Sequence, residues 1–125
     1  MNPAIPAIYV TLKSDAAIAP EVEHAPQVYP GIPLDLILDN DRMIVQRGLV
    51  EPGQWTGIHS HPGNQVYIHI KGGTWSERRD GVQFSPLPFS EAGSVGWIDA
   101  TEIDESHDVG NTGDTTIEYV LVTIK

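Results

Sequence analysis

Five histidines and no cysteine set the terms for any metal or nucleophilic chemistry in this chain of 125 residues. Without cysteine there is no disulfide framework, no zinc finger and no thiol nucleophile, so a metal would have to combine imidazole with oxygen or amide ligands. His59 and His61 stand two apart in the segment Gly53–Gln65. On an extended chain that spacing points both imidazoles to one face. Gln65 follows the Pro62-Gly63 turn and opens a strand whose odd positions can share the same face. His107 sits near the end of another predicted strand, four residues before Asn111. Strands that bring neutral imidazoles to one interior would form an open metal site of the kind catalytic centres use. A His-x-His pair by itself is weak evidence, because such pairs often lie on solvated turns.

On the strand opened by Gln65, alternation sets Gln65, Tyr67 and His69 on one face and Val66, Ile68 and Ile70 on the other. If Gln65 faces the interior, so do Tyr67 and His69, a phenol and an imidazole that can each act as general acid or base. The alternative is that they only line a cavity and bond to each other or to the backbone, as buried polar groups normally do. The outward Val66, Ile68 and Ile70 need cover from a second sheet, an N-terminal arm or a partner subunit. Arg47 lies mid-strand among apolar residues, where it is either aimed inward at a substrate carboxylate or paired outward in a salt bridge. Trp55 and Trp97 read as core, although either could wall an apolar pocket, and Arg78 and Arg79 read as solvated residues beside a turn. Asn111 reads as an amide that holds a turn. His24 lies in a proline-rich stretch and is set aside.

The elements that would position these groups are short. Helical periodicity is almost absent, and runs of β-branched and aromatic residues are broken by turn signals every eight to twelve positions. Strands are predicted at Leu34–Leu38, Met43–Val50, Gln54–His59, Gln65–Lys71, Thr74–Glu77, Val82–Phe84, Ser94–Ile98 and Thr116–Ile124. Arg79-Asp80-Gly81 suits a tight hairpin with positive φ at its centre. Many short strands joined by Gly, Pro and Asp turns mean an all-β sandwich or barrel. Residues 1–33 differ: six prolines exclude regular helix over most of the stretch, although Ile8–Leu12 can form one strand. We read residues 1–33 as an arm that packs on the barrel or on a second subunit, and residues 34–125 as the barrel.

Seventeen Asp and Glu against seven Lys and Arg give a net charge of −10. That balance argues against nucleic acid, whose phosphates need a surplus of cations, and against an anionic membrane surface. No apolar run approaches a membrane span, and the N-terminus lacks the pattern of a signal peptide, so a cytoplasmic location is expected.

The framing of the histidines resembles the cupin superfamily. Gly53, His59, His61, Gln65 and Gly72 fall in register on that family's first motif, with Gln in place of its Glu. Gly96, His107 and Asn111 fit the second motif, with Glu102 and Asp104 replacing its Pro and inner Gly. The resemblance implies a cupin β-barrel, the jelly-roll type of double-stranded β-helix. It also implies one divalent transition metal (Zn, Fe, Ni or Mn) held by His59, His61, His107 and Gln65, with Gln65 bonding either the ion or a water on it. The implied function is metal-dependent chemistry on a small carbonyl- or carboxylate-containing molecule, of isomerase, lyase, cyclase or dioxygenase type, with Tyr67 or His69 moving the proton. A non-catalytic sensor or small-ligand carrier is the alternative. Three imidazoles and a neutral amide would leave the ion its full +2 charge and a strong Lewis acidity. Small cupins usually dimerise, which sets the expectation of a homodimer.

Overall fold

The computed structural model describes residues 24–80, 82–102 and 107–125. They form eight strands: β1 (Leu34–Asp39), β2 (Met43–Val50), β3 (Asn64–Lys71), β4 (Trp75–Arg79), β5 (Val82–Pro86), β6 (Val95–Ile98), β7 (His107–Asn111) and β8 (Ile117–Ile124). The described residues contain no helix, so none is long and apolar enough to cross a membrane. Two antiparallel sheets result, one of five strands in the order β1-β2-β8-β3-β6 and one of three in the order β5-β4-β7. The all-β expectation holds.

Strand β8 is central to the larger sheet, paired with β2 on one side and β3 on the other. Its sequence alternates: Ile117, Tyr119, Leu121 and Thr123 are buried, and the residues between them are only partly so. In β2 the same period buries Ile44, Gln46, Gly48 and Val50. Val50, Ile117, Tyr119 and Leu121 from these inward rows, with Tyr29 and Ile32 from the segment before β1, make the hydrophobic core. Each fully buried Ile or Leu contributes about 1.5–3 kcal/mol relative to exposure. The outer side of the five-stranded sheet stays apolar at one edge, where Ile70, Val95 and Trp97 are exposed.

The described end of the N-terminal segment lies against the larger sheet. Gln27 exchanges hydrogen bonds with Gln46 of β2, its backbone N–H donating to Gln46 Oε1 at 2.9 Å and its carbonyl accepting from Gln46 Nε2 at 2.9 Å. Residues 1–23, with the strand expected at Ile8–Leu12, lie outside the described residues.

Two expectations about elements are corrected. Gln54–His59 is not a strand, because Gly53 just before the run and Gly57 within it both adopt positive φ (88° and 79°) and break the extended chain. What remains leans on β7, with Trp55 bridging Gly110 and Thr56 N–H donating to Val109 O at 2.8 Å. His107 opens β7 instead of ending a strand, and Asn111 closes it. The hairpin between β4 and β5 turns at Asp80, whose φ is +52°.

Candidate functional site

A cavity of about 340 Å³ opens between the two sheets, and His59, His61, Tyr67, His69, Glu77 and His107 are among the residues on its wall. That volume suits a small organic ligand. Each side chain reaches the wall by a different route. Tyr67 and His69 are alternate residues of β3 and stand with ring centroids 5.6 Å apart, edge to face. Tyr67 lies across Gly96, its partner on β6, where a Cβ would run into the phenol ring. Trp75, Glu77, His107 and Val109 are the cavity-facing residues of β4 and β7.

His59 and His61 come from the loop between β2 and β3, and their rings meet edge-on with centroids 4.9 Å apart. The loop is pinned at several points. His61 exchanges both backbone hydrogen bonds with Thr101. Gly57 N–H donates to Asp108 Oδ2 at 3.1 Å, and Arg78 grips the same carboxylate with two bonds of 2.9 and 2.7 Å while stacking on Trp55 at 4.2 Å. Gly57 is needed here because its φ is positive, a conformation most side chains resist.

The proton positions on both imidazoles follow from their partners. His59 Nδ1 lies 2.6 Å from Gly57 O, which can only accept, so Nδ1 carries the hydrogen. For His61 the assignment runs through two buried amides. Gln27 Nε2 donates to Ser60 O at 2.7 Å, which leaves Gln27 Oε1 as an acceptor. Gln65 Nε2 donates to it at 2.8 Å, and to Thr123 Oγ1 at 3.1 Å. Gln65 Oε1 therefore faces His61 Nδ1 at 2.9 Å and receives its hydrogen. In both neutral rings Nε2 keeps the lone pair. Burial holds His59 and His61 below the ordinary histidine range, and their bonds to Gly57 and Gln65 oppose that shift only in part.

His69 is differently placed. Its Nε2 accepts from the Trp75 indole N–H at 2.9 Å, which puts the hydrogen on Nδ1, 3.1 Å from Ser94 Oγ. Burial lowers its pKa as well. Deeper in the cavity, Tyr29 and Tyr119 share a hydrogen bond, and burial raises both phenols, Tyr119 strongly.

The likeness to known structures agrees with this architecture. No protein-family model and no curated protein matches the sequence. Among solved structures, a cupin domain from Bordetella pertussis matches with a TM-score of 0.61 and 25% identity, over 80% of this chain and 99% of that one. A cupin superfamily protein from Desulfitobacterium hafniense matches at 0.53 and 14%, over 92% and 98%. An RmlC-like cupin family protein from Methanocaldococcus jannaschii, with a double-stranded β-helix fold, matches at 0.56 and 11%, over 89% and 93%. The chain has the cupin fold. Its two sheets are the two halves of that β-helix.

Within this fold, the residues at the motif positions differ in what they do. His59, His61 and His107 share the cavity wall, as do Tyr67 and His69. Gln65 is fully buried behind that wall, with its carbonyl oxygen on His61. Among the described residues, no three His, Asp or Glu side chains stand in ligating geometry around a single point. The donors nonetheless suit an ion chemically, since the Nδ1–H groups of two imidazoles are tied to oxygen acceptors, the arrangement that orients histidine ligands. Asn111 holds a turn, as expected: its Nδ2 donates to Val50 O and Thr115 O, and its Oδ1 accepts from Gly113 N–H.

Arg47 faces away from the cavity and pairs with Glu118 at 2.7 Å and Asp35 at 3.4 Å, so the inward reading is overturned. Trp97 is 53% exposed instead of core, its indole N–H bonded to Asp99. Arg78, expected to be solvated, grips the buried Asp108. Reading the sequence also missed Gln27 and Gln46, whose proline-rich and apolar surroundings carry no polar signal. Glu77 was missed too. Its position two after Trp75 on a predicted strand was the available clue.

Proposed function

We propose that this protein is a metal-dependent cupin enzyme acting on a small carbonyl- or carboxylate-containing molecule. The observation that carries the reading is the fixed hydrogen on Nδ1 of His59 and of His61, which leaves Nε2 of each as a lone-pair donor beside His107. His59, His61 and His107 would hold one divalent transition ion, zinc, iron, nickel or manganese. Gln65 then acts behind them by orienting His61. When bound, such an ion supplies Lewis acidity towards a substrate oxygen or, as iron, reactivity with dioxygen.

Tyr67 is the proton-moving group in this reading, because its phenol lines the cavity and can both donate and accept. His69 has one nitrogen occupied by Trp75 and the other facing Ser94, and we assign it to holding the Tyr67 side of the wall. Leu87, Ile98 and Leu121 make the remainder of the wall largely apolar and would limit water around a bound substrate.

Metal analysis of untagged protein, before and after chelation and reconstitution, tests the reading. About one equivalent is expected in the native protein, with loss of the metal but not of the fold in His107→Ala; less than about 0.1 equivalent after reconstitution would overturn it. Oxygen uptake by the iron-loaded form with 1,3-dicarbonyl compounds separates dioxygenase from isomerase or lyase. A second reading, a ligand-binding cupin without turnover, is favoured by the engaged nitrogens of His69. Under it Tyr67→Phe would leave both ligand binding and metal content unchanged, and no carbonyl substrate would be consumed.

A further inference from the structure

Several polar atoms on the cavity wall are already spent inside the protein. The Trp75 indole N–H donates to His69 Nε2 at 2.9 Å, His69 Nδ1–H to Ser94 Oγ at 3.1 Å, and that hydroxyl to Glu91 O at 2.7 Å. Each donor in the series ends on an acceptor, so Trp75 and His69 offer the cavity ring surface and no hydrogen bond. Trp75 and Tyr119 meet edge to face, with ring centroids 5.8 Å apart and planes at 77°. With Leu121 on the same wall they make an apolar corner, where a flat guest can lie along one ring and meet the edge of the other. Tyr29 joins this corner to the histidines: it is hydrogen-bonded to Tyr119, and its ring centroid lies 4.5 Å from that of His59.

The unspent atoms are acceptors. Nε2 of His59 and Nε2 of His61 keep their lone pairs and have no hydrogen-bond partner among the described residues. Their rings stand side by side, 4.9 Å apart, so a guest that meets both must bring hydrogens to donate. Fixed positive charge is missing. Among the described residues on the wall there is no Lys or Arg, and the one acid, Glu77, lies 3.4 Å from His107 Nε2. A carboxylate or phosphate on a ligand would lose its water with no side-chain cation to face it. A phenolic hydroxyl avoids that cost and supplies the hydrogen that Nε2 accepts.

We propose that the cavity takes an uncharged aromatic compound of one or two rings, its ring on Trp75 and Tyr119 and its phenolic hydroxyls towards Nε2 of His59 and His61. A cavity of about 150 Å³ is enough for benzene. The 340 Å³ here therefore accommodate two fused rings. The inference rests on the reading of this cavity as the substrate site and narrows the substrate class, leaving simple carboxylates out. It needs no bound ion, because the ring surface and the lone pairs belong to the chain itself. A divalent ion on those nitrogens would take the same oxygens, so both readings ask for one class of ligand.

Calorimetric titration of chelated wild-type protein tests it with four probes: 2,3-dihydroxynaphthalene, its dimethyl ether, the saturated decalin-2,3-diol and 2-naphthoate. The aromatic diol should bind saturably, at about millimolar affinity or tighter. The other three should bind at least about tenfold more weakly, since each loses the two hydrogen bonds or the ring contact, or carries an unpaired charge. Long-range proton–nitrogen spectra should show the Nε2 resonances of His59 and His61 moving as the diol is added. Equal binding of any of the other three probes, no binding of the diol, or unmoved Nε2 resonances would overturn the proposal. Repeating the titration with metal-loaded protein separates the two readings. Diol binding found only with the ion present would overturn this proposal and leave the metal reading standing. Selective diol binding by protein that takes up no metal would support this proposal and remove the metal reading.

Discussion

Replacing Gln65 by Glu, the residue of the cupin motif, would place a carboxylate oxygen where an amide nitrogen now donates to Gln27 Oε1 at 2.8 Å. Two acceptors would then face each other in a fully buried spot, behind a Gln27 that its bond to Ser60 O prevents from turning over. An unsatisfied buried acceptor costs about 1–3 kcal/mol, and urea denaturation of metal-free Gln65→Glu should show a loss in that range. No loss would mean that the amide chain does not fix His61. Protonation offers a second test at this scale. Burial holds His59, His61 and His69 below the ordinary histidine value of 6.5. Near that pH the unfolded chain takes up protons that the folded chain does not. The stabilisation is therefore present above pH 6.5 and is lost as pH falls below it. The melting temperature of metal-free protein should drop between about pH 7 and pH 5, a window mostly above carboxylate titration. A flat or rising profile there would contradict the burial of these rings.

At the scale of elements, β7 does more than carry His107. Asp108, next in sequence, points to the other side of the strand and ties Arg78 of β4 to the Gly57 backbone, whose carbonyl in turn holds His59. Arg78→Ala would strand a buried carboxylate. Because Arg78 itself is 35% exposed and water can enter, the cost should be about 1–3 kcal/mol, less than for a fully buried pair. The same variant should weaken metal binding through His59, which calorimetry would detect. Unchanged stability and affinity would show that the tie has no role. How much of this was legible follows from the same elements. Strands β2, β3 and β8 were readable because each has one face in the core and alternates accordingly. The His59–His61 pair was readable from its spacing and its flanking glycines. The loop carrying it was misread as a strand, since Gln-Trp-Thr has β character and only the positive φ of Gly57 reveals the break. Glu77 was illegible as a site residue because a charge beside Arg78 and Arg79 resembles a solvated face. Its place on the cavity wall depends on the β4–β7 register, which pairs residues some thirty positions apart. Gln27 lies in a segment with no periodicity to read.

For the whole molecule, the net charge of −10 and the cavity tell different stories. Of the described residues on the cavity wall Glu77 alone is acidic, so the excess negative charge lies elsewhere. A cation bound among the histidines would make the cavity a local positive well inside an acidic protein, suited to an enolisable or anionic oxygen ligand. The two sheets take complementary parts in that design. The five-stranded sheet supplies Tyr67 and His69 and, through Gln65, the orientation of His61, while the three-stranded sheet supplies His107. The most direct test of this account is a crystal structure of the metal-reconstituted protein, with diffraction collected at the absorption edge of the ion. A single anomalous peak in the cavity is expected, about 2.0–2.1 Å from Nε2 of His59 and of His61 and in contact with His107. A fully reconstituted crystal with no peak there, or with its ion bound outside the cavity, would contradict it.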